Sequence, residues 1–165
     1  MTRPVKQSKI PRTLWRCPTC ARRFANKRQT HSCGKYDIES HFAGKSREIR
    51  ELFEALVALL TQCGPVSVLP EKTRIAFQVR MSFAAVSVRQ ACIVGHFVLA
   101  RRLDSPRFLG IQTISPRNHV HRFRLNGVHD LDQEFLAWAR EAYFVGEQRH
   151  IYGLSADRVS HQAHR

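Results

Sequence analysis

From Ser46 to Gly64 the chain reads SREIRELFEALVALLTQCG, and Ile49, Leu52, Phe53, Leu56 and Leu60 recur at helical intervals. Apolar residues so spaced fall on one side of a helix, so the segment predicts an amphipathic helix with one face on a core. Ser46 is a suitable N-cap, and Gly64-Pro65 is a stop signal. After Pro70 the period changes to two. TRIAFQVR places Ile75, Phe77 and Val79 on one face and Arg74, Gln78 and Arg80 on the other. SFAAVSVR, CIVGHFVLA, RFLGIQTI and HVHRFRL continue as strands, the last with His121, Phe123 and Leu125 opposite Val120, Arg122 and Arg124. Helical spacing returns in HDLDQEFLAWAREAY, where Leu131, Phe135, Trp138, Ala142 and Val145 form a stripe that reads as core. Asp130 is placed to cap this helix, with Gln133 completing a capping box.

Strands at roughly ten-residue spacing, with no helical pattern between them, predict an antiparallel meander rather than βαβ units. The expected fold class is α+β: a helix, an antiparallel sheet, and a C-terminal helix packed on one sheet face. The domain occupies residues 46–147. Before it lie a polar, Pro-interrupted flexible arm (1–13), a cysteine-rich module (14–34) and a linker (35–45). A polar, His-rich tail (148–165) follows.

Charge changes the picture. The net charge is +14 and it is blocked: residues 1–36 hold ten Lys/Arg and no acid, and residues 72–128 hold ten Lys/Arg against Asp104 alone. The segments between and after them are mildly acidic. Two basic blocks of this kind point to a polyanionic partner, nucleic acid first. No apolar run is long enough to span a bilayer, and the basic N-terminus leads into Trp15 and Arg16 rather than an apolar signal segment. A cytosolic location is therefore expected.

In a reducing compartment, clustered cysteines read as metal ligands rather than disulfide partners. CPTCARRFANKRQTHSC gathers Cys17, Cys20, His31 and Cys33. The two-residue gap lets Cys17 and Cys20 converge from a tight turn. His31 and Cys33, two apart, share a side only where the chain is extended or looped. Three thiolates and one imidazole suit a closed, tetrahedral, structural Zn²⁺. Phe24 is the expected apolar plug beneath the site. His41 is an alternative to His31 as the fourth ligand. Cys63 and Cys92 read as buried, inert thiols.

The run LWRCPTCARRFANKRQTHSC, followed by GPVSVLPEKTRIAFQVRMSFAAV, HFVLARR, SPRFLGIQTISPRNHVHRFRL and DLDQEFLAWAREAY, resembles an uncharacterised bacterial family, domain of unknown function 5655. Its members can carry such a cysteine module ahead of the domain. The resemblance implies zinc ligation by Cys17, Cys20, His31 and Cys33, and it implies no activity. The order of segments, ending in a helix with Ala142-Tyr143-Phe144-Val145, is also similar to the MmcQ/YjbR double-wing group, which implies DNA binding.

The candidate phosphate-contacting residues are Arg22, Arg23, Lys27 and Arg28 around the metal loop and Arg74, Arg80, Arg122 and Arg124 on the sheet. Arg74 and Arg80 share a strand parity, as do Arg122 and Arg124, which predicts a basic face opposite the Phe/Val/Ile face. With no helix-turn-helix pattern and no paired aromatics of the RNA-recognition kind, binding is expected to run through phosphates, with steep salt dependence. An enzyme is the weaker reading. Metal-dependent nucleases need convergent carboxylates, and the sheet region offers Asp104 and Glu71. Pro70-Glu71-Lys72 reads as a turn. His119 and His121 share one face and read as an exposed pair rather than a catalytic one. No nucleotide-binding glycine loop or small-molecule site is evident. The other alternative is a protein-interaction adaptor, marked by an exposed apolar patch.

Overall fold

The computed structural model describes residues 13–152. Nearly all of the N-terminal arm and most of the C-terminal tail therefore lie outside the described residues. The fold is α+β. A two-stranded hairpin, β1 (Trp15–Arg16) and β2 (Arg23–Phe24), precedes helix α1 (Arg47–Thr61). The strands β3 (Ser67–Pro70), β4 (Ile75–Gln78), β5 (Ser82–Val88), β6 (Ile93–Leu99), β7 (Phe108–Ser115) and β8 (Asn118–Leu125) follow, and helix α2 (Gln133–Gly146) comes last.

All six strands of the main sheet pair antiparallel, in the order β3-β4-β5-β6-β8-β7. The expected meander runs from β3 to β6. The chain then crosses to the far edge, and the β7–β8 hairpin returns so that β8, not β7, pairs with β6. The turn signals around Pro106 and Pro116 mark the strand ends but do not encode which strand of a hairpin faces inward. Strand β3 was not expected: four residues ending in a proline carry too little alternation to read. Proline is tolerated there because β3 is an edge strand.

Both helices cover one face of the sheet. Ile75, Phe77, Ala84, Val86, Ile93, Phe97, Leu99, Phe123 and Leu125 are buried against Leu52, Phe53, Leu56 and Leu60 of α1 and Phe135, Trp138, Ala139 and Ala142 of α2. Aromatic contacts tie the layers together, with ring centroids 5.0 Å apart for Phe97–Phe135 and 4.5 Å for Phe108–Trp138. A β-bulge opposite Phe77/Gln78 inserts Phe83 into β5. The extra residue turns Phe83 inward beside Ala84, where it packs edge-on against Tyr143.

Helix ends follow local chemistry. The Ser46 hydroxyl accepts from the Ile49 N–H at 3.4 Å, as expected for the cap of α1. Beyond α1, Gly64 adopts φ +143°, and a Cβ there would stand 2.3 Å from the Tyr143 hydroxyl, which donates to the Pro65 carbonyl. The cap of α2 is Asp132, not Asp130: Asp132 Oδ1 accepts from the Phe135 N–H at 2.9 Å. Asp130 ends a 3-10 turn (Val128–Asp130) and its carboxylate accepts from the Asn126 and Gly127 N–H groups instead. Arg107 holds this corner. One of its guanidinium nitrogens donates to both Asp132 oxygens and to Glu134, the other donates to the Asp130 carbonyl, and the group lies over the Trp138 ring.

Residues 35–45 carry a 3-10 turn, Ile38–His41, that packs on α1. Phe42 meets Phe53 at 5.0 Å, and Arg50 lies over Phe42 and pairs with Glu39. Among the described residues no helix is long and apolar enough to cross a membrane.

Candidate metal centre and basic surface

The β1–β2 hairpin brings the four predicted ligands together. Residues 18–20 form the tight turn after Cys17, closed by the Cys17 N–H donating to the Arg22 carbonyl and the Ala21 N–H donating to the Cys17 carbonyl, both at 2.9 Å. Ala21 takes φ +60° to complete it. His31 and Cys33 lie on irregular backbone with neither helix nor strand, as their two-residue spacing requires. The donor atoms of Cys17, Cys20, His31 and Cys33 all lie within 4.8 Å of one another. The Cys17–Cys33 Sγ separation is 3.8 Å, and His31 Nε2 lies 3.3 Å from the sulfurs of Cys20 and Cys33.

These distances test the fit. With metal–sulfur bonds of about 2.3 Å and metal–nitrogen bonds of about 2.05 Å, a regular tetrahedron has S–S edges near 3.8 Å and S–N edges near 3.6 Å. These three edges match to within about 0.3 Å and the other three lie within 4.8 Å, so the group can hold a metal ion. His31 Nδ1 lies 2.6 Å from the Gln29 carbonyl. That contact places the proton on Nδ1 and leaves Nε2 free as the donor atom. Phe24, buried, stacks 4.2 Å from the His31 ring and is the expected plug. Backbone N–H groups of Cys20 and Thr19 pull the Cys17 thiol down to about 6, whereas burial, then the neighbouring thiols, push Cys33 up to about 11. A bound cation removes that conflict by taking all three sulfurs as thiolates.

His41 is not part of this group; it sits in the 3-10 turn beside α1. Cys63 and Cys92 are half-buried rather than buried, and neither approaches the ligands.

Two hydrogen bonds tie the module to the main sheet. Gln78 Nε2 donates to the Arg23 carbonyl at 2.5 Å, and Arg22 Nη2 donates to the Pro70 carbonyl at 3.3 Å. Gln78 follows the inward-facing Phe77, so it points to the outer face, away from the helices. The module therefore sits at the β3–β4 side of that outer face.

Register places the sheet arginines. Ala76, Ala85, His96 and Arg122 form one row across the outer face, and Ser87, Val94 and Arg124 form the next. Arg74, immediately before β4, continues the second row and ion-pairs with Glu71 at 2.6 Å. Arg80 is elsewhere. Its backbone N–H and that of Met81 donate to the Gly146 carbonyl, and its side chain donates to Gln148 at the end of α2. β4 ends at Gln78, and Arg80 lies in the bend before β5, beyond the alternation that gave it the parity of Arg74.

Among the described residues, Arg74 is the one member of the eight predicted phosphate contacts with a carboxylate within 4.0 Å. The Arg22 side chain is spent on two carbonyls, those of Ser32 and Pro70. Arg23, Lys27, Arg28, Arg122 and Arg124 are exposed. From β4, where Arg23 is anchored, to β8, which carries Arg122 and Arg124, is three strand spacings, about 14 Å at ~4.8 Å each. Both basic blocks thus border one face.

The histidine pair expected to be exposed is not. His121 is fully buried, its Nε2 accepting from the Leu103 N–H and its Nδ1 donating to the His119 carbonyl, both at 2.9 Å. Because Leu103 can only donate, the ring is a fixed neutral tautomer, and burial holds its pKa below the ordinary histidine value. It is a structural group at the inner face, where parity put it; what alternation did not convey is that the Leu99–Phe108 connection folds over it. His119 is half-buried and lies 2.9 Å from Thr113.

The profile of a domain of unknown function, DUF5655, matches residues 38–145. The chain belongs to the DUF5655 family. The matched region starts at the 3-10 turn and ends in α2, so the metal module stands outside the DUF5655 domain proper and is attached to its outer face. Searches of curated proteins and of solved structures gave no match.

Proposed function

We propose that this DUF5655 protein is a non-catalytic, zinc-containing nucleic-acid-binding protein that grips phosphates through the outer face of its sheet and the metal module beside it. The observation that carries this reading is the set of exposed cations, Arg23, Lys27, Arg28, Arg122 and Arg124, none with a carboxylate partner among the described residues. Solvated arginines in folded domains are commonly balanced by nearby acids. Here the acids gather on the helical side instead, as in Glu141 with Arg101 and the Asp132–Glu134 pair with Arg107. Three thiolates and an imidazole favour Zn²⁺ over harder cations. With all four positions taken by protein, the ion leaves no place for water and is structural. Free thiols as ligands suit a reducing cytoplasm.

Fluorescence anisotropy of labelled nucleic acid against the zinc-loaded protein, across a salt series, tests this. The expected result is binding that weakens linearly in log–log form with salt. Negligible binding at low salt refutes it.

One observation favours a second reading, a protein-interaction adaptor. Leu109 and Ile114, 51% and 61% exposed, lie on the edge strand β7, which carries no charged residue. Its signature is protein association lost on Ile114→Lys while phosphate binding is retained.

A further inference from the structure

Within the nucleic-acid reading, on which this step rests, we infer that the ligand is a duplex held by its two backbones, not a single strand. Proteins that hold single strands supplement phosphate contacts by stacking bases on exposed aromatic side chains. This chain has ten Phe, three Tyr and two Trp, all within residues 13–152, and none is exposed. The Phe side chains of the sheet lie on the helix-covered face. Beside the metal loop, Trp15 is half-buried and packs on Phe24 and His31, and Tyr36 is half-buried against Gly34. The outer face offers Ala76, Ala85, Val94, His96 and Val98 between its arginines, none of them a phenyl or indole platform.

The layout of charge agrees. A single strand is best followed by one continuous line of cations. Here Arg122 and Arg124 stand on β8, whereas Arg23, Lys27 and Arg28 stand on the metal loop, whose anchor at β4 lies three strands away.

Counterion release sets the size of the preference. Five phosphate contacts give salt slopes of about −4.5 for a duplex and −3.5 for a single strand, a difference of roughly tenfold in affinity at 0.1 M salt.

The test titrates the full-length, zinc-loaded chain into a labelled DNA duplex, an RNA duplex and a homothymidine strand with the same number of phosphates, at one salt concentration. Either duplex binding about tenfold tighter than the single strand, with tryptophan emission unquenched by the single strand, is the expected result. Equal or tighter binding of the single strand, or quenching by it, overturns the duplex inference while leaving nucleic-acid binding intact. Binding to none of the three overturns the underlying reading and this inference with it.

Discussion

Removing the metal should unfold the module and leave the DUF5655 domain standing. Of residues 13–34, Cys17 and Phe24 are the ones buried, and a fully buried Phe is worth about 1.5–3 kcal/mol. Ions in comparable zinc peptides supply about 10–16 kcal/mol, so a bound zinc ion would dominate the module's stability. The main domain depends on it little. Its core draws on both helices and the six-stranded sheet without a side chain from the module. What it loses is the pair of bonds from Gln78 and Arg22, about 0.5–1.5 kcal/mol each, or roughly 1–3 kcal/mol together. The two tryptophans separate the events, because Trp15 stacks within the module and Trp138 is buried under α2. On chelation of a Trp138→Phe variant, Trp15 emission should shift to the red. In a Trp15→Phe variant, Trp138 emission should stay fixed, with the main thermal transition lowered by about 4–12 °C, at about 4 °C per kcal/mol for a domain near 100 residues. Collapse of both signals in one transition, or no change at Trp15, would refute this division.

Three further outcomes follow from the described contacts. Arg107→Ala should cost about 2 kcal/mol in urea unfolding, because Asp132 and Glu134 lose their partner and Trp138 its cover; Arg107→Lys should recover only part of it. Gly64→Ala should cost about 1–3 kcal/mol, since the new Cβ meets both a left-handed backbone and the Tyr143 hydroxyl, and equilibrium melts measure it directly. Stability should also fall in mild acid. Burial holds His96, His121 and His150 below the ordinary value of 6.5, so the unfolded chain takes up more protons as pH drops through about 6.5. Stability is therefore fully present above that pH and declines below it by up to about 1.4 kcal/mol per pH unit for each of these histidines. Urea midpoints between pH 7.5 and 5.5 check the sign, and a His121→Gln variant should show a shallower decline.

The metal site was legible in the sequence because its rule is local: ligand spacing within one short loop, read against the reducing context. The helices were legible because their apolar stripes are long. Arg122 and Arg124 could be placed on the outer face from strand alternation, which β8 keeps along its length. Arg80 could not, because β4 stops at Gln78, two residues before the apolar–polar alternation of TRIAFQVR does. The burial of His121 and the inward position of β8 depend on how distant segments meet, and neighbouring residues carry no trace of that. The same limit hid the two hydrogen bonds that set the metal module on the outer face, since Gln78 and Arg23 are far apart along the chain. A glutamine on the polar side of a strand otherwise reads as solvated.

If the outer-face arginines bind phosphates, the salt dependence of nucleic-acid affinity reports it. Arg122 and Arg124 make no ion pair or side-chain hydrogen bond among the described residues, so replacing both with Ala should leave the fold unchanged. If each meets one phosphate, the log–log salt slope for a DNA duplex should become shallower by about 1.8, with weaker affinity at every salt concentration. A slope and affinity equal to those of the unaltered protein would contradict the claim and remove the sheet from the binding surface.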